Sequence, residues 1–424
     1  MLNIIKSFKN KELFIALYFL FFIFGYSVGV SDNFYNESRI LEITILLILC
    51  FVGDEKKENK NIFVEFLFFL YLCIGYLFWK NSEFIFFELL VFYLLYNSFF
   101  NIDYNDWVTR IILGSSFFIF LFFPISIFSY LKTGVYENWY PMPWNIRVYN
   151  SYFVFFIIFS MWYYLKNYKY KNIYIFFVFL ALLSILFDGG RSAIIACTIF
   201  MVLVCVFNKL NRLRIILVYT LAWIVYFIIV FFSPSNPLRP IIRDTSSGRY
   251  WLWEHAIQCW LNNPVFGCGF YQLDEYDKLP AHPHNLFIQI LSETGLIGFF
   301  FLSYLIFSII KNININIKDE NRYFVLASFF AVFIELFFSG AYIYPVTQVS
   351  LLWLFIFLFK NPDFSYNFSN INDKRVGFGF TVFFVVNIFM LVIFFYLFVG
   401  FLGGGEGGLP LSPPRFWEYG YKLL

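Results

Sequence analysis

Charge is scarce in this chain. Asp, Glu, Lys and Arg make up 13% of its 424 residues, where a soluble domain carries about 25%. With 61% hydrophobic and 25% aromatic residues and a mean hydropathy of +0.71, a water-soluble fold is excluded, because that much apolar surface cannot be hidden from water. Also missing is the dyad alternation, in stretches of about ten residues, that a membrane β-barrel needs. The apolar runs are continuous instead, as in Phe66 to Trp79 and Ile215 to Phe232. In lipid a backbone must satisfy its polar groups within its own segment, so these runs are helices. No phosphate-cradling glycine loop occurs in a plausible context. No internal repeat and no separate soluble domain is visible, and nothing points to nucleic acid.

Apolar spans able to cross about 30 Å of hydrocarbon fall near 13–30, 40–53, 62–79, 84–100, 111–130, 150–165, 172–187, 192–207, 215–233, 286–310, 323–343, 346–359 and 377–401. The expected fold is therefore all-α, a polytopic transmembrane bundle of about 12–13 spans in one integral membrane domain over residues 1–401. Residues 402–424, with Gly403 to Gly408, Pro410, Pro413 and Pro414, read as a flexible tail. The run Leu13 to Val30 follows Lys6, Lys9 and Lys11 like a signal peptide. It is long and lacks a small-residue cleavage pattern, so it reads as a retained first helix.

Basic residues orient the bundle. With the N-terminus in the cytoplasm, every short basic cluster falls inside: Lys56, Lys57 and Lys60; Arg110; Lys166, Lys169 and Lys171; Lys209, Arg212 and Arg214; Lys311, Lys318 and Arg322; Lys374 and Arg375. The outside connections are brief except at 131–149 and 234–285. The second is the largest polar segment and holds all three histidines, His255, His282 and His284.

Few arginines lie outside under this topology: Arg39, Arg147, Arg191, Arg239, Arg243 and Arg249. A guanidinium presents a planar fork suited to phosphate oxygens and stays charged. Arg39, beside Glu37, reads as an interfacial ion pair. Arg191, in Asp188-Gly189-Gly190-Arg191-Ser192, sits in a link too short to leave the membrane face. It is either a snorkelling partner of Asp188 or a diphosphate ligand at headgroup depth. The stretch from Ser247 to Leu261 reads as an aromatic-sided interfacial helix ended by Asn262-Asn263-Pro264. Arg249 stands at its start, where free N–H groups favour an anion, and His255 reads as structural.

His282-Pro283-His284-Asn285 then leads into a membrane span. A histidine at that mouth can take a proton from a hydroxyl near neutral pH, whereas two histidines one residue apart lack a third ligand for a metal. Glu65, Glu88, Glu293 and Glu335 fall within spans, and Glu293, roughly 13 Å along the helix from His284, reads as packing glue. Cys50, Cys73, Cys197 and Cys205 fall in apolar spans. Cys259 and Cys268 share the large loop, where an oxidising compartment allows a bridge.

His284-Asn285, nine residues, and Gly295-Leu296-Ile297-Gly298, together with Gly189-Gly190-Arg191-Ser192 and Gly248-Arg249-Tyr250-Trp251-Leu252-Trp253 ahead of Asn262-Asn263-Pro264, resemble the motifs of the O-antigen ligase superfamily. That superfamily also holds O-antigen polymerases and pilin-type O-oligosaccharyltransferases. The resemblance covers residues 185–300 by motif and the rest by topology alone. It implies a membrane glycosyltransferase C-type fold in the bacterial inner membrane, multi-pass, whose active site faces the periplasm. It also implies an inverting transferase needing neither metal nor cofactor. The donor would be an undecaprenyl diphosphate-linked glycan, and the acceptor lipid A-core or a second carrier-linked glycan. By the same resemblance Arg191 and Arg249 hold the carrier diphosphate and His284 is the base or acceptor-positioning residue, with Asn285, His282 and Arg243 as positioning candidates. The loop, at about fifty residues, is shorter than in many ligases, and thirteen spans exceed the usual twelve. Ligation of O-antigen is the first reading and polymerisation the second. A lipid-linked sugar transporter is disfavoured, because neither midplane charges, repeats nor broken helices are evident.

Overall fold

The computed structural model describes residues 11–24, 35–51, 85–134, 146–166, 170–234, 248–270, 282–311 and 320–364, with the single positions 67, 70, 71, 74, 136 and 273. Among these residues there is no strand. The helices are α1 (Glu12–Phe24), α2 (Tyr35–Phe51), α3 (Ile85–Asn101), α4 (Asp106–Ser116), α5 (Phe123–Thr133), α6 (Ile146–Leu165), α7 (Lys171–Asp188), α8 (Arg191–Phe207), α9 (Arg212–Phe232), α10 (Arg249–Asn262), α11 (Leu286–Lys311), α12 (Glu320–Phe338) and α13 (Pro345–Lys360). The fold is an all-α polytopic membrane bundle. Six of its helical stretches are long and apolar enough to cross a membrane, and α1, α8 and α13 are shorter apolar helices. The expected span 377–401, the tail, Arg243 and most of the span 62–79 lie outside the described residues.

Local sequence explains the departures from the span list. The fifth span starts early because the Asn105 side chain accepts from the Trp107 N–H and opens α4. A 3-10 stretch over Phe117–Leu121 then joins α4 to α5, which begins at Phe123-Pro124. Pro124 lacks the N–H that a continuous helix would need from it. The eleventh helix, read as one span from 286, is interrupted at Gly295, whose backbone (φ 64°, ψ −162°) is not helical. A broken helix, absent from the sequence reading, is thus part of this bundle.

The core runs along α6. In its membrane window 94% of residues are buried, against 17% in α9, so α6 is enclosed by α7, α8, α12 and α13 while α9 turns most of its side chains to lipid. Phe227, Phe231 and Phe232 are accordingly exposed apolar residues, as expected where the surrounding solvent is hydrocarbon. Rings fill the interior: Trp162 packs on Phe364 at 4.2 Å and on Phe324 at 5.0 Å.

Candidate active site at one end of the bundle

The turn between α7 and α8 is forced by two glycines. Gly189 adopts φ 64° and its N–H bonds back to Leu186 while Gly190 bonds Ile185, a left-handed helix stop that favours glycine. A Cβ on Gly190 would lie 2.5 Å from Asn150 Nδ2 of α6, so the turn is pressed onto the core helix. This places Arg191 at the first residue of α8, with Asp188 buried beside it. Both the snorkelling and the ligand reading remain compatible with that height.

Arg249 likewise begins its helix, after Gly248 in the left-handed region (φ 77°). It is the opposite charge acting on Glu335 of α12, whose other neighbours are the hydroxyls of Ser339, Ser192 and Ser151. Glu335 is fully buried, and neither of its carboxylate oxygens has a hydrogen bond of ordinary geometry. Ser151 and Ser339 bond each other at 2.9 Å. Ser192 directly follows Arg191, so the residues around Glu335 join the Arg191 turn, the start of α6, the end of α12 and the Arg249 helix. The sequence reading marked Glu335 only as polar within a span and missed Asn150, Ser151 and Ser339; short-range patterns could not reveal that four distant segments meet.

The histidine segment closes the same end. His284 is 3% exposed and adopts φ 54°, a left-handed backbone that histidine enters more readily than most residues. Its N–H donates to His282 Nδ1 at 3.2 Å, and the two rings stand 4.2 Å apart. Accepting that bond places the proton of a neutral His282 on Nε2. His282 is 0% exposed and its ring fills the space above Gly340, where a Cβ would approach Cε1 to 2.7 Å. His282 is therefore held as firmly as His284: Trp253 Nε1 donates to the Pro283 carbonyl at 2.9 Å, which pins the segment from both sides. Trp253 also packs on Phe337 and Phe338, so this side of α10 faces protein, while Tyr250 and Trp251 remain exposed.

Asn285 takes a structural part. Its Oδ1 accepts from the N–H groups of Phe287 and Ile288, each at 3.0 Å, which caps α11. Asn285→Ala is expected to cost about 1 kcal/mol of stability and to lower activity through His284. A thermal melt run beside an activity assay checks both.

Against Tyr342 and Ile343 lies a cavity of about 230 Å³ whose polar lining includes Arg39, Glu88, Gln289, Glu293, Thr294 and Gln348. Tyr342 donates to Gln289 Oε1 at 2.7 Å and Gln289 Nε2 donates to Glu293 at 3.3 Å, so Glu293 lines a cavity rather than merely gluing helices. Arg39 lies inside the protein. It is 2% exposed, forms an ion pair with Glu42 on the next turn, and donates to Gln348 and the Ile343 carbonyl. A buried guanidinium requires such satisfaction.

Cys259 and Cys268 form a disulfide, with their Cα atoms 5.9 Å apart. Among the described residues no group of three or more His, Cys, Asp or Glu could hold a metal ion.

Comparison with known proteins meets this region. Residues 176–303 match a family model described as O-antigen ligase. A Rickettsia felis protein, provisionally named a polysaccharide ligase, is 27% identical over 142 residues, covering 28% of this chain and 34% of its own length. A Rickettsia bellii protein of the same provisional name is 35% identical over 99 residues, covering 22% and 23%. The match thus spans about a third of the Rickettsia felis relative. No solved structure matches. The matched segment contains Arg191, Arg249, the histidine pair and the Gly295 break, so the similarity of this membrane protein to the O-antigen ligase model and to the polysaccharide ligases falls on the residues of this site.

Proposed function

We propose that the chain is an inner-membrane glycosyltransferase that moves a glycan from an undecaprenyl diphosphate carrier on the periplasmic side, and that it ligates O-antigen to lipid A-core. The observation that carries this reading is that the Arg191 turn, through Ser192, and the Arg249 helix converge on the buried Glu335, while His282 packs on Gly340, the residue after Ser339. Such an end needs no nucleotide fold, since a lipid diphosphate is already an activated leaving group. The two guanidinium forks would neutralise the charge that grows on the diphosphate as the glycosidic bond breaks, a contribution metals make elsewhere. An acceptor hydroxyl attacking from the opposite face, with His284 taking its proton, would invert the anomeric centre.

The test is a knockout examined by lipopolysaccharide gel. Loss of all ligated O-antigen supports the ligase; a single repeat unit on core would transfer the assignment to a polymerase. Because arginines supply the charge in this mechanism, turnover of the purified enzyme is expected to persist in EDTA. Restoration of a stalled enzyme by an added divalent ion would overturn that step.

A further inference from the structure

The break in α11 frees backbone groups that a helix would have satisfied, and within a membrane they must find partners. Residues 264–269 partner four of them. Cys268 N–H donates to the Ser292 carbonyl at 2.8 Å, Gly269 N–H to Glu293 at 3.1 Å, Leu296 N–H to Pro264 at 2.9 Å and Ile297 N–H to Val265 at 3.4 Å. Two glycines permit the approach. A Cβ on Gly267 would come within 2.6 Å of the Glu293 carbonyl carbon and of Gly295 N, and one on Gly295 would strike the Val265 carbonyl. Both residues hold positive φ, 74° and 64°. The Tyr71 hydroxyl bonds the Thr294 carbonyl, and its ring stacks on Phe266 at 5.8 Å. The fourth residue of the motif, Gly298, has the Thr294 side chain against its Cα. Each glycine of Gly295-Leu296-Ile297-Gly298 therefore has a steric reason.

Helix α10 is tied to α11 at two places. Near its start the tie is Trp253 to Pro283; beyond its end it is the docked loop, which the disulfide joins back to Cys259 in the last turns of α10. The two intervals agree in length. At 1.5 Å per helical residue, the helical part of the first interval, Trp253 to Asn262, rises roughly 14 Å and that of the second, Leu286 to Thr294, roughly 12 Å. The nine residues between Asn285 and Gly295 are thus the separation at which both ties close.

We propose that α10, its disulfide-closed loop and the Gly295 break form a strut that sets Arg249 relative to His284, with Cys259, Cys268 and Gly267 as positioning residues. The proposal rests on the reading of Arg249 and His284 as donor-side and acceptor-side groups. If the far tie is released, α10 can pivot about the Trp253–Pro283 bond, and a shift of about 1 Å in such a pair costs on the order of 10²-fold in rate.

The test uses the full chain in lipid nanodiscs, oxidised or reduced with a phosphine. Spin labels carried by unnatural amino acids at Tyr250 and Ile297, both exposed, report the geometry. Turnover is measured with an undecaprenyl diphosphate-linked O-antigen and lipid A-core. Reduction is expected to broaden the distance distribution and to lower kcat by roughly 10- to 10²-fold, with donor KM changing less than about threefold. Cys259→Ser/Cys268→Ser should equal the reduced enzyme and ignore the phosphine. Gly267→Ala should reproduce the loss with the disulfide intact. An unchanged distance distribution after complete reduction overturns the strut, and a broadened one with undiminished kcat overturns its positioning role. Broadening without turnover in any state supports the strut while removing the transferase reading.

Discussion

Arg249→Ala is expected to lower transfer by at least about 10² to 10³-fold, and Arg191→Ala to do the same, because each removes a preorganised donor from the charge that develops on the leaving diphosphate. Arg249 carries a complication that Arg191 does not. It is the opposite charge acting on the fully buried Glu335. Arg249 acts on that carboxylate from a half-buried position, so its removal is expected to lower stability as well as transfer. The single alanine variant could therefore lose activity merely by unfolding. Arg249→Ala/Glu335→Gln removes both charges and separates the two effects: the double variant should regain the melting temperature of the parent while transfer stays lost. Recovery of transfer along with stability would show that Arg249 serves Glu335 and not the donor. Lysine at either position should restore only part of the rate, since a point charge cannot reproduce the fork.

Membrane class and helix positions were legible because they depend on composition and run length, which lipid enforces residue by residue. Arg191 and Arg249 stand out in the sequence because the expected topology leaves few arginines outside, and His284 because it precedes a membrane span within a spaced motif. What could not be read depends on segments far apart in the chain. Glu335 acquires its neighbours from Ser151, Ser192 and Arg249, and Arg39 acquires Gln348 and Ile343 across the bundle. The Gly295 break escaped notice because a lone glycine within an apolar run is usually tolerated in a helix. The carbonyls of Pro264 and Val265 and the N–H groups of Cys268 and Gly269, brought alongside by the loop, make the interruption tolerable in lipid.

His284→Ala is expected to cut turnover by about 10² to 10⁴-fold while donor binding through the arginines persists. Alanine tests two things at once, because His284 holds φ 54° and alanine is strained there, whereas asparagine tolerates that backbone. His284→Asn keeps the chain path but offers no base, so it should lose as much turnover as alanine while melting closer to wild type. The neighbouring histidine cannot serve as a silent control. His282 is buried and accepts the His284 N–H, so His282→Ala should also cost activity, through the position of His284. The pH profile tells the two roles apart. A base must be unprotonated to act, so the wild-type rate falls as pH drops through the histidine range, around 6.5 for an unperturbed ring. That acidic limb should vanish from the residual rate of His284→Asn. It should persist, at lower amplitude, in His282→Ala, where the base remains and only its placement suffers. A limb that survives in His284→Asn and disappears in His282→Ala would move the base to His282 and leave His284 as its support.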